Sequence, residues 1–285
     1  MLFGDILNQK LCFYNKYYSH SGIPYIGKRR LFHELKKGED AWFLFGTKHK
    51  EVENQMVQLQ EIDMSQMEHL LELRMFSYDI LRRVFLAEPA KEFVQALQDG
   101  LIDDFPFREE NREIKEGIEQ ILFYFKTFNL NQDFDDLHWD YTRMFIGPGR
   151  LPAPIWESSY TNKDGLLFQE ETLEVRRFYL KHQLIPKAYR HEADDHLGLE
   201  LDFMYQLSNR VLDSLKEENF AEIHELVKSQ MSFLEEHLLN WTPMFKEKVM
   251  KSSNTDFYKG MVKILTGFLT IDKTCLQELL DNLKQ

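Results

Sequence analysis

The sequence predicts an all-α protein: a single helical-bundle domain with an N-terminal extension. Three observations carry that reading. From Ser65 onward, apolar residues recur at three- and four-residue steps, the period of one helix face. No hairpin signal appears anywhere in the chain. Proline and glycine gather in a few stretches between the periodic segments, where they end one helix before the next begins.

Residues 1–60 form the predicted extension, made of mixed short elements. Tyr14, Tyr17, Tyr18 and Tyr25 crowd together, and Lys28, Arg29 and Arg30 read as a solvated basic patch. Ala41–Phe45 reads as a short strand or buried turn, and Gly22, Pro24, Gly27, Gly38 and Gly46 interrupt the pattern. Residues 61–285 form the helical domain. Met67, Leu70, Leu71, Phe76, Ile80, Leu81, Val84 and Phe85 mark its first helix, closed by Pro89. A second is expected from Ala90 to about Leu101, and a third from about Arg108 to Phe128 on Ile114, Ile118, Ile121, Leu122 and Phe125. Asp133, Asp135 and Asp136 crowd the start of a fourth, where carboxylates complement the helix dipole. Thr172 reads as the N-cap of a helix through Lys181, and Asp194 or Asp195 as the cap of a long one to about Leu215. The stripe from Phe220 to Trp241 is expected to stop at Pro243. Thr255 opens a last long helix, with a short terminal one from Asp272 or Lys273.

Composition limits the function. With 285 residues, 43% hydrophobic and 29% charged, the chain can bury a sizeable core without disulfides. A formal net charge of −12 argues against nucleic acid as a partner and suits a cationic one. Cys12 and Cys275 fit neither a metal nor a disulfide spacing, as expected of a reducing compartment. No secretory leader or membrane-length apolar run is seen, so the expected location is the cytoplasm.

The stretch from His138 to Tyr160 departs from the helical pattern. Pro148, Pro152 and Pro154 stand among Phe145, Ile146, Leu151, Ile155, Trp156 and Tyr160. A proline-stiffened loop this apolar must either pack on the core or offer a surface for something else to bury. A second polar constellation follows at His191, Glu192, Asp194, Asp195, His196 and Glu200. On one continuous helix Glu192, His196 and Glu200 would stack at four-residue steps, which leaves open a metal-dependent hydrolase using His191, Glu192, Asp195, His196 and Glu200. The rival reading is a capping aspartate followed by a locally bonded histidine. No nucleophile elbow and no phosphate-cradling glycine loop is present.

Three segments in order, Tyr141-x-Arg143-Met144-Phe145-x-Gly147-Pro148, Pro152-x-Pro154-x-Trp156-Glu157-Ser158-x-Tyr160 and Glu192-x-x-Asp195-His196-Leu197-x-x-Glu200-Leu201-x-Phe203-Met204, resemble the signatures of the TorD/DmsD family of redox-enzyme maturation chaperones. The resemblance implies an all-helical, non-enzymatic protein without a resident cofactor. Its implied partners are the twin-arginine signal peptide and the catalytic subunit of a molybdenum oxidoreductase, held until cofactor insertion is complete. It implies a peptide site built from Tyr141, Met144, Phe145, Trp156, Asp195 and His196 and shaped by Glu157, Ser158 and Tyr160, with monomer and dimer both open. Met144 stands where the family usually has leucine, while Ile155 and Ala193 stand where it has prolines. A twin-arginine leader offers two guanidinium groups and an apolar segment, so carboxylates beside an apolar groove would suit it, and Asp195 and Glu157 are the expected acceptors.

Overall fold

The computed structural model describes residues 47–162, 170–186 and 192–283, with backbone only for 47–63. Two compact units divide the chain, 1–67 and 68–285. The tyrosine cluster, the Lys28-Arg29-Arg30 patch and Ala41–Phe45 lie outside the described residues. Everything that follows concerns the second unit, apart from the N-terminal part of the first helix.

Ten α-helical stretches follow in order among the described residues, and no strand. They are α1 (Thr47–Phe85), α2 (Lys91–Ala96), α3 (Arg112–Phe125), α4 (Phe134–Tyr141), α5 (Ser158–Thr161), α6 (Glu170–Lys181), α7 (Leu197–Lys216), α8 (Phe220–Phe233), α9 (Leu239–Ser252) and α10 (Asp256–Asn282). Wider π turns extend α2 through Leu97–Leu101, α4 through Thr142–Ile146 and α8 through Leu234–Leu238. The expected all-α class is therefore the observed one.

Several boundaries differ from the sequence expectation. α1 starts at Thr47, well ahead of Ser65. α3 starts at Arg112 because Asn111 caps it, its side chain accepting from the amides of Glu113 and Ile114. Pro243 does not stop a helix; it lies within α9, shortly after the π turn Leu234–Leu238 has widened the hydrogen-bond ladder. α10 runs unbroken past Asp272. That aspartate starts no new helix, because its carboxylate is spent inside the core. It accepts Arg74 Nε at 2.5 Å and the Tyr78 hydroxyl at 2.6 Å, with Arg74 and Asp272 both fully buried. Removing one partner of such a pair would strand a buried charge, so the pair fixes α1 against α10.

α10 is the axis of the bundle. Phe257, Tyr258, Met261, Ile264, Leu265 and Phe268 are all fully buried on it. Its closest neighbour is α3, and a glycine pair lets them approach. A Cβ placed on Gly117 would lie 2.6 Å from the carbonyl oxygen of Gly260, and one on Gly260 would lie 2.7 Å from that of Gly117. Backbone meets backbone here, so no side-chain rotation can relieve an added methyl. Aromatic rings fill the space beside this crossing: Phe85, Phe145 and Phe245 contact one another edge-on or tilted, and Tyr258 packs against Phe145 at 6.0 Å.

Gly260→Ala should destabilise the protein by about 2–3 kcal/mol, the upper range for overpacking. Urea unfolding monitored by helical circular dichroism measures it; a midpoint matching the unsubstituted protein would mean that the two helices are not held at backbone contact.

Candidate functional site

The apolar loop packs onto the start of α7. Leading out of α4, the chain passes Gly147 and Pro148, then buries Ala153 and Ile155 while Pro152 stays exposed. Proline disfavours helical backbone at the residue before it, so the Leu151–Pro154 stretch bends without becoming helical and reaches the segment that precedes α7. There the two strands of chain form one antiparallel bridge, Trp156 against His196. Glu157 N donates to Asp195 O at 3.0 Å, and Leu197 N donates to Ile155 O at 2.9 Å. The loop's own return is pinned by the Tyr160 hydroxyl, which donates to Pro154 O at 2.7 Å.

Asp195 locks the seam from inside. It is fully buried, and each oxygen has a donor: the Ser158 amide at 2.9 Å and the Thr172 hydroxyl at 2.8 Å. Asp195 therefore satisfies an orphan amide at the start of α5, not α7. The cap of α7 is His196, whose Nδ1 accepts from Gly198 N at 3.1 Å. Nor does Thr172 cap α6, which begins at Glu170; its hydroxyl serves Asp195. These corrections share one cause, the long-range pairing of the loop with the α7 lead-in, which no local pattern announces. Gly198 is required by the same packing, since a Cβ there would collide with the Cα of Leu86.

Beneath the seam lies a buried acid cluster. Glu157, 3% exposed, meets His237 Nδ1 at 2.9 Å, and Glu200 Oε2 accepts from the Trp241 indole at 3.2 Å. Burial, then the charges of Glu157 and Asp195, push the Glu200 carboxyl well above the ordinary glutamate range. Burial also raises Glu157, against the opposing pull of His237. Both carboxyls are thus held above the ordinary glutamate range, Glu200 the more strongly, by burial and by neighbouring carboxylates. Burial lowers His196, with Glu192 and Asp195 opposing, so its ring is mostly neutral at pH 7.

Trp156, Glu157, Ser158, Tyr160, Asp195 and His196 meet in this one place. Trp156 is half-buried, its ring 5.8 Å from that of His196 and its indole donating to Glu192 Oε1 at 2.8 Å. Tyr160 stacks obliquely on Trp241 at 5.3 Å, with Lys248 Nζ 4.2 Å over its ring. Tyr141, Met144 and Phe145 are buried in the core behind, and the Tyr141 hydroxyl donates to Phe85 O at 3.2 Å. Sequence reading missed Thr172, His237 and Trp241 as parts of this seam. The four-residue step from His237 to Trp241 along one apolar stripe was the available signal, and nothing tied it to Glu157, 80 residues earlier.

The residues of the metal reading do not converge. Glu192 turns to Trp156, Asp195 to Ser158 and Thr172, the His196 ring to Gly198, and Glu200 to Trp241. His191 lies outside the described residues, among which no group of three or more His, Cys, Asp or Glu is placed to hold a metal ion. A cleft of about 550 Å³ opens elsewhere on α4, lined by Tyr124, Asp136, Trp139, Arg143 and Asp256 among others, and none of the predicted site residues lines it.

Residues 106–247 match the family model described as nitrate reductase delta subunit. The chaperone protein TorD of Aliivibrio fischeri is 27% identical over 164 residues, covering 57% of this chain and 75% of that one. TorD of Aliivibrio salmonicida is 26% identical over 211 residues, 73% of this chain and 97% of its own length. A probable Tat proofreading chaperone DmsD of Haemophilus influenzae is 35% identical over 122 residues, 42% of this chain and 52% of the relative.

The buried acid gives stability a pH dependence of known sign. Native Glu200 binds a proton that the unfolded chain releases once pH exceeds the ordinary glutamate value, so its contribution is full below that value and is lost as pH rises through the raised one. Glu200→Gln, which mimics the protonated form, should gain stability on the unsubstituted protein as pH rises from 5 to 9. Parallel unfolding profiles across that range would show that Glu200 is ionised in the native state.

Proposed function

Because the chain belongs to the TorD/DmsD family, we propose that it is a system-specific chaperone for a molybdenum-containing oxidoreductase. It binds the twin-arginine signal peptide of the catalytic subunit and holds it until cofactor insertion and folding are complete. The observation that carries this reading is the Trp156–His196 bridge. It brings together two of the segments on which the family resemblance rests, and it leaves a large aromatic ring half-exposed at their junction.

The geometry supports a division of labour among the proposed site residues. Trp156 and Tyr160 keep part of their surface open and would touch the peptide. Tyr141, Met144, Phe145, Glu157, Ser158, Asp195 and His196 are buried and would hold that surface in shape from beneath. Shape matters because a preformed apolar patch binds without first paying the cost of ordering a loop. Leu86, 38% exposed, and Ile146, 58% exposed, belong to the turns next to Gly198 and Gly147 and add apolar area for the hydrophobic part of a leader.

The chaperone acts by differential affinity rather than chemistry. An immature client offers its leader freely, and the finished client withdraws it when another state competes better. Such a protein needs no nucleophile or metal and works in the cytoplasm, before export. No helix among the described residues is long and apolar enough to cross a membrane. Residues 1–60 would be an extension to the chaperone domain of 61–285.

Trp156→Ala should weaken binding of a synthetic twin-arginine signal peptide by roughly 30-fold, the effect of losing a central aromatic anchor worth about 2 kcal/mol. Isothermal titration calorimetry measures the affinity, and circular dichroism should show helicity retained. No binding to the unsubstituted protein, or equal binding to the variant, would defeat the proposal.

A further inference from the structure

We infer that Glu192, assisted by Glu88, is the carboxylate that reads the cationic part of the peptide, in the place the sequence suggested for Asp195 and Glu157. The inference rests on the seam being a peptide site. It concerns which acid faces the ligand and which way round the ligand lies.

Asp195 and Glu157 are poorly placed for the task. Asp195 has no exposed surface, and both of its oxygens are engaged within the protein. Glu157 is buried and bonded to His237 at 2.9 Å. For either to meet a guanidinium, α5 would have to leave its cap or the buried pair would have to break, and each step uncovers an unpaired buried charge.

Glu192 is placed differently. It is half-buried, and its Oε1 accepts from the Trp156 indole at 2.8 Å and from Ala193 N at 3.1 Å. Both bonds aim one carboxylate oxygen inward and set the group beside a half-exposed indole. Among the described residues no hydrogen bond reaches Oε2. A carboxylate next to an aromatic ring is what a guanidinium binds well, by fork-shaped hydrogen bonds and by stacking. A lysine ammonium exploits this pairing less.

Glu88 is the second acid of this end, near enough to Tyr141 to act, with Glu192, on its hydroxyl. Its carboxylate accepts the Thr142 hydroxyl at 2.7 Å and meets His138 Nδ1 at 2.8 Å, with 32% of the side chain exposed. Thr142 adjoins Tyr141, whose hydroxyl bonds to Phe85 O, and Leu86 packs on Gly198 two residues beyond His196. Among the described residues the charges facing this end are Glu88 and Glu192, with His138 a cation only when protonated and His196 mostly neutral. The other end of the seam is basic, with Lys248 over Tyr160 and Arg150 close enough to act on Lys248. A leader whose arginines precede its apolar segment would lie with the arginines at Glu192.

The test uses the full chain and three synthetic leaders carrying Arg-Arg, Lys-Lys or Gln-Gln, with affinities measured by calorimetry at low and high salt. Glutamine keeps the acceptor for the Trp156 indole, so Glu192→Gln should melt at the same temperature as the unsubstituted protein. It should weaken the Arg-Arg leader about tenfold, leave the Gln-Gln leader unchanged and flatten the salt dependence. Glu88→Gln should cost about threefold. If the unsubstituted protein binds the Arg-Arg leader and Glu192→Gln binds it equally well, with the same preference over Gln-Gln, the inference is overturned while the peptide site stands. If no leader binds the unsubstituted protein, both fall together.

Discussion

One backbone bridge holds the site together. The pairing of Trp156 with His196 joins a loop that cannot be helical to the lead-in of a helix nearly forty residues later in the chain. Proline keeps the loop side out of a helix, and His196 is extended ahead of α7, so two donors and two acceptors are free to meet. A two-residue bridge is weak by itself. It persists here because Asp195 ties the same segment to α5 through Ser158 and to α6 through Thr172, inside a dry interior where each charge-assisted hydrogen bond counts for more.

The seam also explains why its acids divide into two kinds. Carboxylates below it are consumed: Asp195 as a cap, Glu157 on His237 and Glu200 on Trp241. Carboxylates at its edge, Glu192 and Glu88, are oriented by the protein but still reach solvent. The first kind gives the loop a single position. The second kind remains available to a partner. An electrostatic role is assigned by exposure and by remaining hydrogen-bonding capacity, not by proximity of an acidic letter to an aromatic one.

Much of this was legible in the sequence, and the limits have physical causes. Helical periodicity located the long helices because each buries one face against the core, and the three motif segments located the loop and the α7 lead-in. Periodicity could not show that Asp272 belongs to Arg74 and Tyr78, so a helix start was expected where α10 simply continues. Capping rules favoured Asp194 or Asp195 over histidine at the start of α7, and Thr172 as a cap, because they consider only near neighbours. The winning competitor for both side chains was tertiary: Thr172 and Asp195 bond to each other. Pro243 misled for a related reason, since a π turn earlier in the helix had already absorbed the disruption.

The restraints on Trp156 also fix the form of the seam. An exposed indole with a flexible loop behind it would collapse onto the nearest apolar surface, and a ligand would have to pull it away. Here Trp156 is restrained on three sides: its backbone is bridged to His196, its indole nitrogen is held by Glu192, and its ring edge meets the imidazole. Glu192 is in turn held by the Ala193 amide. Ring and carboxylate therefore orient each other before any partner arrives. On the proposed reading, an arginine side chain would find a plane to stack on and an acceptor beside it, already at fixed separation. Truncating either member to alanine removes the bond that holds the other, so the two should behave as one unit, with the double alanine substitution costing less than the sum of the singles.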